Sequence, residues 1–384
     1  MLSPPFSYQN LFINLPPNVP VGKPLRDTQF WPSAPPNGVA TEGDDPRNRD
    51  PRVYQWTLSI QHQIANSFLL SAEYLGNHGV KNPFSVLVNT PPLPNAQELA
   101  QLEANPALNE PLATARAPFP NVALGYQYTK NIAQSWYDAL NLKAESRLGR
   151  SLNFSAVYTW SKSLDMASAE QQSPATISNL LLGKSYSDYD HPQRFVASWV
   201  YDLPLGQTWI TGARWNKLAQ GWELTGISTF EAGPPYSVSM GIDTSFTGGA
   251  APSYPDLIGQ PVYQDIRKSN GIYLTPKNFI APPFGQFGTL ARNAFHGPGL
   301  NNFDLGLIKN LAVTERLRVQ VRTELFNAFN HTQFAFAGGT LASSIGAPPA
   351  GSTTPAIQYV DASQFGRVAA RAPRIVQFGL KLIW

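Results

Sequence analysis

The chain of 384 residues has no cysteine, which excludes disulfide frameworks, cysteine–zinc centres and thiol nucleophiles. It is also poor in charge. Aspartate, glutamate, lysine and arginine make up 14% of the sequence, against roughly 25% in ordinary soluble proteins. With 28 basic and 25 acidic residues the formal net charge is only +3, which gives no concentrated basic surface for nucleic acid. Hydrophobic continuity is missing as well: no stretch approaches the ~20 apolar residues of a membrane-spanning helix. The opening Met1-Leu2-Ser3-Pro4-Pro5 lacks the basic start and apolar segment of a secretory signal.

What is present is aromatic and turn-forming. Phenylalanine, tryptophan and tyrosine reach 12%, and glycine (29) with proline (35) makes about one residue in six. That density means many turns, yet it lies below the ~25–30% of low-complexity disordered chains. Helical solenoids and coiled coils do not fit it. Length alone, at ~150 residues per domain, suggests two to three domains. Residues 1–50 hold ten prolines and read as an irregular segment with one short strand near 12–15. Residues 51–384 have a different texture.

From residue 51 the apolar side chains recur at every second position, the mark of strands with two unlike faces. Tyr54, Trp56, Leu58 and Ile60 alternate with Gln55, Thr57, Ser59 and Gln61. Phe68, Leu70, Ala72 and Tyr74 follow, then Trp136, Leu140, Leu142, Ala144 and Leu148, and then Leu152, Phe154, Ala156, Tyr158 and Trp160. The pattern continues through Phe195–Tyr201, Trp222–Phe230, Phe303–Leu311, Leu317–Leu325 and Val376–Trp384. These are nine strands of about 9–14 residues. Globular strands usually run about 5–6, whereas a tilted membrane-spanning strand needs about 9–11.

The connections alternate in length. Those at 65–67, 149–151 and 312–314 are tight and 204–220 is moderate, while 77–133, 165–190, 233–300 and 328–373 are long. Short turns at one end and long loops at the other are typical of outer-membrane barrels, with the short turns in the periplasm. The expected fold is therefore all-β: an antiparallel transmembrane β-barrel, incomplete, with about 9–10 long strands. Counting strand directions back from Trp384 starts the chain outside the cell, so at least one upstream strand is expected to be missing or hidden within residues 1–50, and residues 51–384 to be the C-terminal portion of a larger barrel or a truncated gene product.

The two faces carry different chemistry. On a lipid-facing side an arginine or lysine costs about 2–4 kcal/mol at mid-membrane and almost nothing at the interfaces. Asp138 and Lys309 fall on the apolar face, near strand ends. Tyr54, Trp56, Tyr74, Trp136, Tyr158 and Trp160 cluster towards the long loops; Tyr201, Trp222 and Trp384 cluster towards the short turns. Two interfacial aromatic girdles are expected from that distribution. The opposite face carries Glu73, Lys143, Glu145, Arg147, Arg194, Asp202, Glu223, Asp304, Arg318, Arg322 and Glu324. Both signs occur, which suits a hydrated lumen with paired charges. The C-terminal Val376, Phe378, Leu380, Leu382 and Trp384 alternate up to a terminal aromatic, the form of an assembly signal read by the barrel-assembly machinery.

Several segments resemble the Oar-like family of TonB-dependent transporter barrels. They are Tyr158-Thr-Trp-Ser-Lys-Ser-Leu-Asp165, His191-Pro-Gln-Arg-Phe-Val-Ala-Ser-Trp-Val-Tyr-Asp-Leu-Pro-Leu-Gly206 and Gly221-Trp-Glu-Leu-Thr-Gly226. Phe295-His-Gly-Pro-Gly-Leu-Asn-Asn-Phe-Asp304, Phe326-Asn-Ala-Phe-Asn-His-Thr-Gln-Phe334 and the ending Phe378-Gly-Leu-Lys-Leu-Ile-Trp384 do so too. The resemblance covers roughly residues 50–384. It implies a 22-stranded receptor preceded by a signal peptide, often a β-sandwich, and a plug domain. Coupling to TonB would run through that plug, which is expected to lie outside this stretch of sequence.

Sites with chemistry are few. The histidines His62, His78, His191, His296 and His331 form no zinc-hydrolase spacing. Asp188, Asp190 and His191 make the best local ligand cluster, and carboxylates there suit Ca²⁺. Solvated loop charges beside Arg194 are the favoured account, because the spacing and glutamate of an EF-hand are missing. Glu223 and Glu231 lie eight residues apart on one strand face, about 27 Å, too far for a glycosidase pair. The segment Asn327–His331 reads as a turn whose asparagines satisfy the backbone. No catalytic residue, metal or cofactor is nominated, and no enzyme activity is expected.

The leading functional reading is the wall of a plugged outer-membrane channel taking up a large solute. Trp31, Tyr126, Tyr128, Tyr254, Tyr263, Tyr273 and Phe284 in the loops would capture it, though stacked rings equally suit loop-on-loop packing. Outer-membrane lipid is the expected surrounding. The alternatives are a surface adhesion or structural barrel without transport, and a soluble all-β binding protein, which strand length and loop segregation disfavour.

Overall fold

The computed structural model describes residues 42–64, 67–119, 124, 127–148, 151–168, 183–205, 219–314, 316–336 and 338–384. The short strand read near 12–15, Trp31 and Tyr126, and most of the 204–220 connection lie outside them. So do parts of the turns at 65–67 and 149–151.

Nine long strands follow in order: β1 Arg52–Ile64, β2 Phe68–Leu87, β3 Gln127–Leu148, β4 Leu152–Asp165, β5 Gln193–Leu203, β6 Trp222–Glu231, β7 Leu300–Ala312, β8 Arg318–Phe326 and β9 Ile375–Ile383. They form one meander in which each strand pairs antiparallel with its sequence neighbour. Glu42–Asp44 adds a short parallel pairing to the start of β3, and Ser185–Tyr186 extends β4. The sheet is open among the described residues, with β1 and β9 as its edges. All nine strands sit where the alternation placed them.

Two strands are longer than their hydrophobic pattern. β2 has 20 residues and β3 has 22, so the 77–133 link is shorter than expected. Alternation ends at Asn77-His78-Gly79, yet pairing continues through irregularities at Gly79, Asn82 and Pro83 to Leu87 opposite Gln127. Lys81, with φ 58°, takes up the bulge that the irregular register requires. Above the membrane level neither face needs to be apolar, so period two is lost while the hydrogen-bonded ladder persists.

The long loops are folded. Tyr236, Val238, Met240, Leu274, Phe279, Phe295, Leu341, Ala342 and Phe365 form one buried cluster drawn from the loop between β6 and β7 and the loop between β8 and β9. A second cluster joins Leu102 to Phe246 and Phe284. Leu102 lies on α1 (Ala96–Ala104), which a turn at Pro106–Leu108 connects to α2 (Asn109–Arg116). Asn95 opens α1 with a capping box: its side chain accepts from the Gln97 and Glu98 amides, and the Glu98 carboxylate accepts from the Asn95 amide. The sequence Asn95-Ala-Gln-Glu98 carries that signature, although an all-β reading leaves no place for a helix. The largest buried apolar cluster is therefore in the loops, while the strands expose one face on either side.

Candidate functional site

The cross-strand register turns the sequence pattern into a wall. On one face Leu58, Tyr74, Leu140 and Trp160 stand side by side across β1 to β4; Leu58 is 65% exposed and Trp160 61%. The next row towards the short turns holds Ile60, Ala72, Leu142, Tyr158, Phe195 and Phe230. Apolar side chains this exposed in rank order need a non-aqueous neighbour. On the opposite face, Glu145, Ser155, Ser198 and Asp304 share one row with Ile227. They line a concavity of about 790 Å³ with Asn153, Thr225 and Glu324. Lys143 pairs with Glu145 at 2.9 Å, and Arg194 with Glu231 at 2.9 Å.

The expected aromatic positions divide. Tyr54, Trp56, Tyr74 and Trp160 are exposed on the apolar face; Tyr158, Tyr201 and Trp222 are half-buried there. Trp136 differs, because its ring stacks on His78 at 5.3 Å and carries Lys184 Nζ at 3.7 Å. It belongs to packing around Phe84, Val86, Ala133 and Met166 at the loop end. A row of phenylalanines extends the upper aromatic band: Phe195 to Phe230 at 6.1 Å, Phe230 to Phe303 at 5.3 Å and Phe303 to Phe329 at 5.1 Å. A search confined to tyrosine and tryptophan misses it. From Trp160 down to Leu152 is eight residues, about 27 Å along a strand. At the usual 35–45° tilt that gives about 20 Å of height, close to the ~25 Å apolar band of a barrel.

Two charged side chains on the apolar face have partners, whereas Ser146 Oγ, buried on the same face between Phe68 and Phe154, has none among the described residues. Asp138 Oδ1 accepts a 2.7 Å hydrogen bond from the Tyr74 hydroxyl. Lys309 donates to the Gln220 carbonyl and lies 5.1 Å from the Trp222 ring centre, at the short-turn end. Gly226 shows how tightly this face is tiled: a Cβ there would come within 2.4 Å of the Trp199 ring on β5. The indole covers the position a side chain would otherwise fill.

Within the Asp188–Asp190–His191 cluster, Asp188 is exposed and His191 half-buried, but Asp190 is not a solvated charge. Asp190 is fully buried; its Oδ1 accepts from the Ser163 amide at 2.6 Å, and its Oδ2 lies 3.0 Å from His296 Nε2. Asp188 pairs with Arg292 at 3.2 Å, and Arg292 also ion-pairs with Asp165 and donates to Ser168 Oγ at 3.0 Å. His191 Nδ1 lies 2.9 Å from Glu231. Burial demands partners for the Asp165 and Asp190 carboxylates, and Arg292 and His296 supply them from a loop more than a hundred residues away. Sequence spacing has no means of showing that. These contacts rivet the loop between β6 and β7 onto the rim of β4 and β5. The turn at Asn327 is as expected: Asn327 Oδ1 accepts from the His331 amide and its Nδ2 donates to the His331 carbonyl, both at 2.9 Å. Its φ of 51° is one asparagine tolerates.

Among the loop aromatics, Phe284 is 8% exposed and stacks on Phe246 at 5.4 Å, so it is core. Tyr263 and Tyr273 pack together at 5.0 Å, and Tyr236 stacks on Phe336 at 3.8 Å. Burial raises the phenol pKa of Tyr236, Tyr254, Tyr263 and Tyr273 above the ordinary value. A raised folded-state pKa gives stability that is complete below the unfolded value of about 10 and is lost as pH rises beyond it. The loop cap is thus expected to open in alkali, with phenolate absorbance and protease cleavage of the loops rising together. In Tyr236→Phe that transition moves to higher pH; an unchanged midpoint would contradict the assignment to Tyr236.

A wall apolar outside and polar inside, tight turns at one end and a folded cap at the other, is the geometry of a transmembrane barrel. A family model described as an outer membrane beta barrel domain matches residues 2–377. The chain belongs to the outer-membrane β-barrel domain family. Its place is the outer membrane. Comparison with curated proteins returns no match. Among solved structures, 88% of this chain matches 33% of the outer membrane transporter YddB from Escherichia coli, at 8% identity and a TM-score of 0.43. A Pseudomonas aeruginosa FadL homologue matches 86% of this chain and 67% of its own length, at 9% identity and a TM-score of 0.22. The chain spans about a third of the length of YddB.

Proposed function

We propose that this outer-membrane barrel chain forms part of the wall and outer loops of a TonB-dependent, Oar-like transporter for a large solute. The observation that carries the reading is the cap: loops with their own hydrophobic core, fastened by Arg292 and His296 to the rim of the strands. The motif resemblance at 158–165, 191–206 and 295–304 supports the Oar-like assignment. A plug domain outside this chain would couple it to TonB. The chain acts by binding and passage, without catalysis. The test compares cells with and without the protein for accumulation of labelled oligosaccharides and peptides, each with and without a protonophore. Accumulation that needs both the protein and the proton gradient supports the reading. Accumulation equal without the protein contradicts transport, and insensitivity to the protonophore contradicts TonB coupling.

The alternating end of the chain fits an assembly signal for the barrel-assembly machinery. Val376, Phe378, Leu380 and Leu382 lie on one face of β9, and Trp384 beyond it is 92% exposed. Deleting Trp384 is expected to reduce the membrane-inserted fraction several-fold, read by fractionation. Unchanged insertion would remove the assignment.

A further inference from the structure

On the outer face of β3 and β4, above the Tyr74–Trp160 row, the side chains change character. The next row towards the loops is Trp56, Gly76, Asp138 and Lys162, and the one after it Tyr54, His78, Trp136 and Leu164. Lys162 is exposed with its Nζ 5.7 Å from the Tyr186 ring centre. Lys184 is exposed with its Nζ 3.7 Å from the Trp136 ring centre. A π face holds an ammonium in place without neutralising it. Among the described residues neither lysine forms an ion pair. Of the nearby carboxylates, Asp165 and Asp188 pair with Arg292 and Asp190 with His296; Asp138, across from Lys162, accepts from the Tyr74 hydroxyl without forming an ion pair among the described residues.

Below the Tyr74–Trp160 row, on the same strands, the outer face is hollow. Ala72, Ala144 and Ala156 floor a groove of about 460 Å³ whose lining also includes Ile60, His62, Leu70, Leu142, Tyr158 and Phe195. Side chains this small leave room for an acyl chain between the larger ones. Tyr158 and Lys162 are four residues apart, about 14 Å along the strand. At barrel tilt, each two-residue step raises the chain by about 5 Å, which sets the lysines at headgroup depth above the aromatic band.

We infer that this face holds a phosphate-bearing lipid of the outer leaflet, its phosphate between Lys162 and Lys184 and one acyl chain in the alanine-floored groove. The inference rests on the apolar face being lipid-facing. A juxtamembrane lysine near an anionic surface contributes on the order of 1 kcal/mol, so removing both should weaken anionic-lipid binding about tenfold or more.

The test is lipid binding by native mass spectrometry on the full chain in detergent, comparing phosphatidylglycerol, phosphatidylcholine and inorganic phosphate. The expected result is a preference for phosphatidylglycerol that falls about tenfold in the Lys162→Gln/Lys184→Gln double variant, with phosphatidylcholine unchanged. Ala156→Leu, which fills the groove, should weaken both lipids. Equal binding of both lipids by the unaltered protein would overturn the site, as would competition by millimolar inorganic phosphate alone that Ala156→Leu leaves intact. Quenching of tryptophan fluorescence by bromo-acyl phosphatidylcholine is the separate arm. It must persist in the double variant; its absence in the unaltered protein would overturn the lipid-facing reading itself.

Discussion

Arg292→Met is expected to detach the loop cap while leaving the strands paired. Arg292 and Asp165 form an ion pair with side chains only 13% and 8% exposed, and the same guanidinium reaches Asp188 and Ser168. Removing the cation leaves the Asp165 carboxylate in a site that excludes water. Breaking such a pair from one side typically costs about 3–5 kcal/mol, more than the pair's net worth, because the remaining charge is uncompensated. The loss falls on the joint between the loop at 232–299 and the rim of β4, so the cap should open well before the wall melts. Limited proteolysis of the variant should cleave that loop at least tenfold faster, while β-sheet circular dichroism is retained. Arg292→Met/Asp165→Leu should recover much of the protection, since both charges are then gone. Wild-type protease resistance in the single variant would show that the cap is held by its apolar cluster alone.

Ala156→Arg is the second large effect, and its contrast is the adjacent Ser155→Arg. Ala156 sits halfway between Leu152 and Trp160 on the apolar face, opposite Ala144 and Ala197. Arginine at mid-membrane on a lipid face costs about 2–4 kcal/mol. Ser155 points to the other side, into the polar concavity beside Glu145, where arginine meets water and an acid. Ala156→Arg should therefore fall several-fold in membrane-inserted, urea-resistant protein, and Ser155→Arg should match the unaltered chain. Ala156→Leu controls for size and should insert normally. Equal behaviour of the two arginine variants would contradict the assignment of faces.

The strands were legible because each residue's neighbour at two positions shares its face, and lipid on one side with water on the other keeps that period strict. Where the membrane constraint ends, the signal ends: β2 and β3 run on past Asn77 and before Trp136 without alternation. The cap was opaque for another reason. Its cluster joins Tyr236 and Val238 to Leu341 and Phe365, residues more than a hundred positions apart with no shared period. The burial of Asp190 likewise depends on His296, and the Asp165 site on Arg292. Polar residues in a loop look solvated until the distant partner is seen. The helix α1 was legible in principle, from the capping box at Asn95 and Glu98.

The absence of cysteine makes the central claim directly measurable, because any introduced thiol is the only one in the chain. Single cysteines from position 153 to 159 on β4, in native membranes, would be probed with a membrane-impermeant maleimide in permeabilised cells. The expected result is strict alternation: Asn153, Ser155, Val157 and Thr159 positions react from the aqueous interior, and Phe154, Ala156 and Tyr158 positions are shielded by lipid. Uniform reactivity along β4, or alternation in the opposite phase, would contradict a wall with lipid outside and water within.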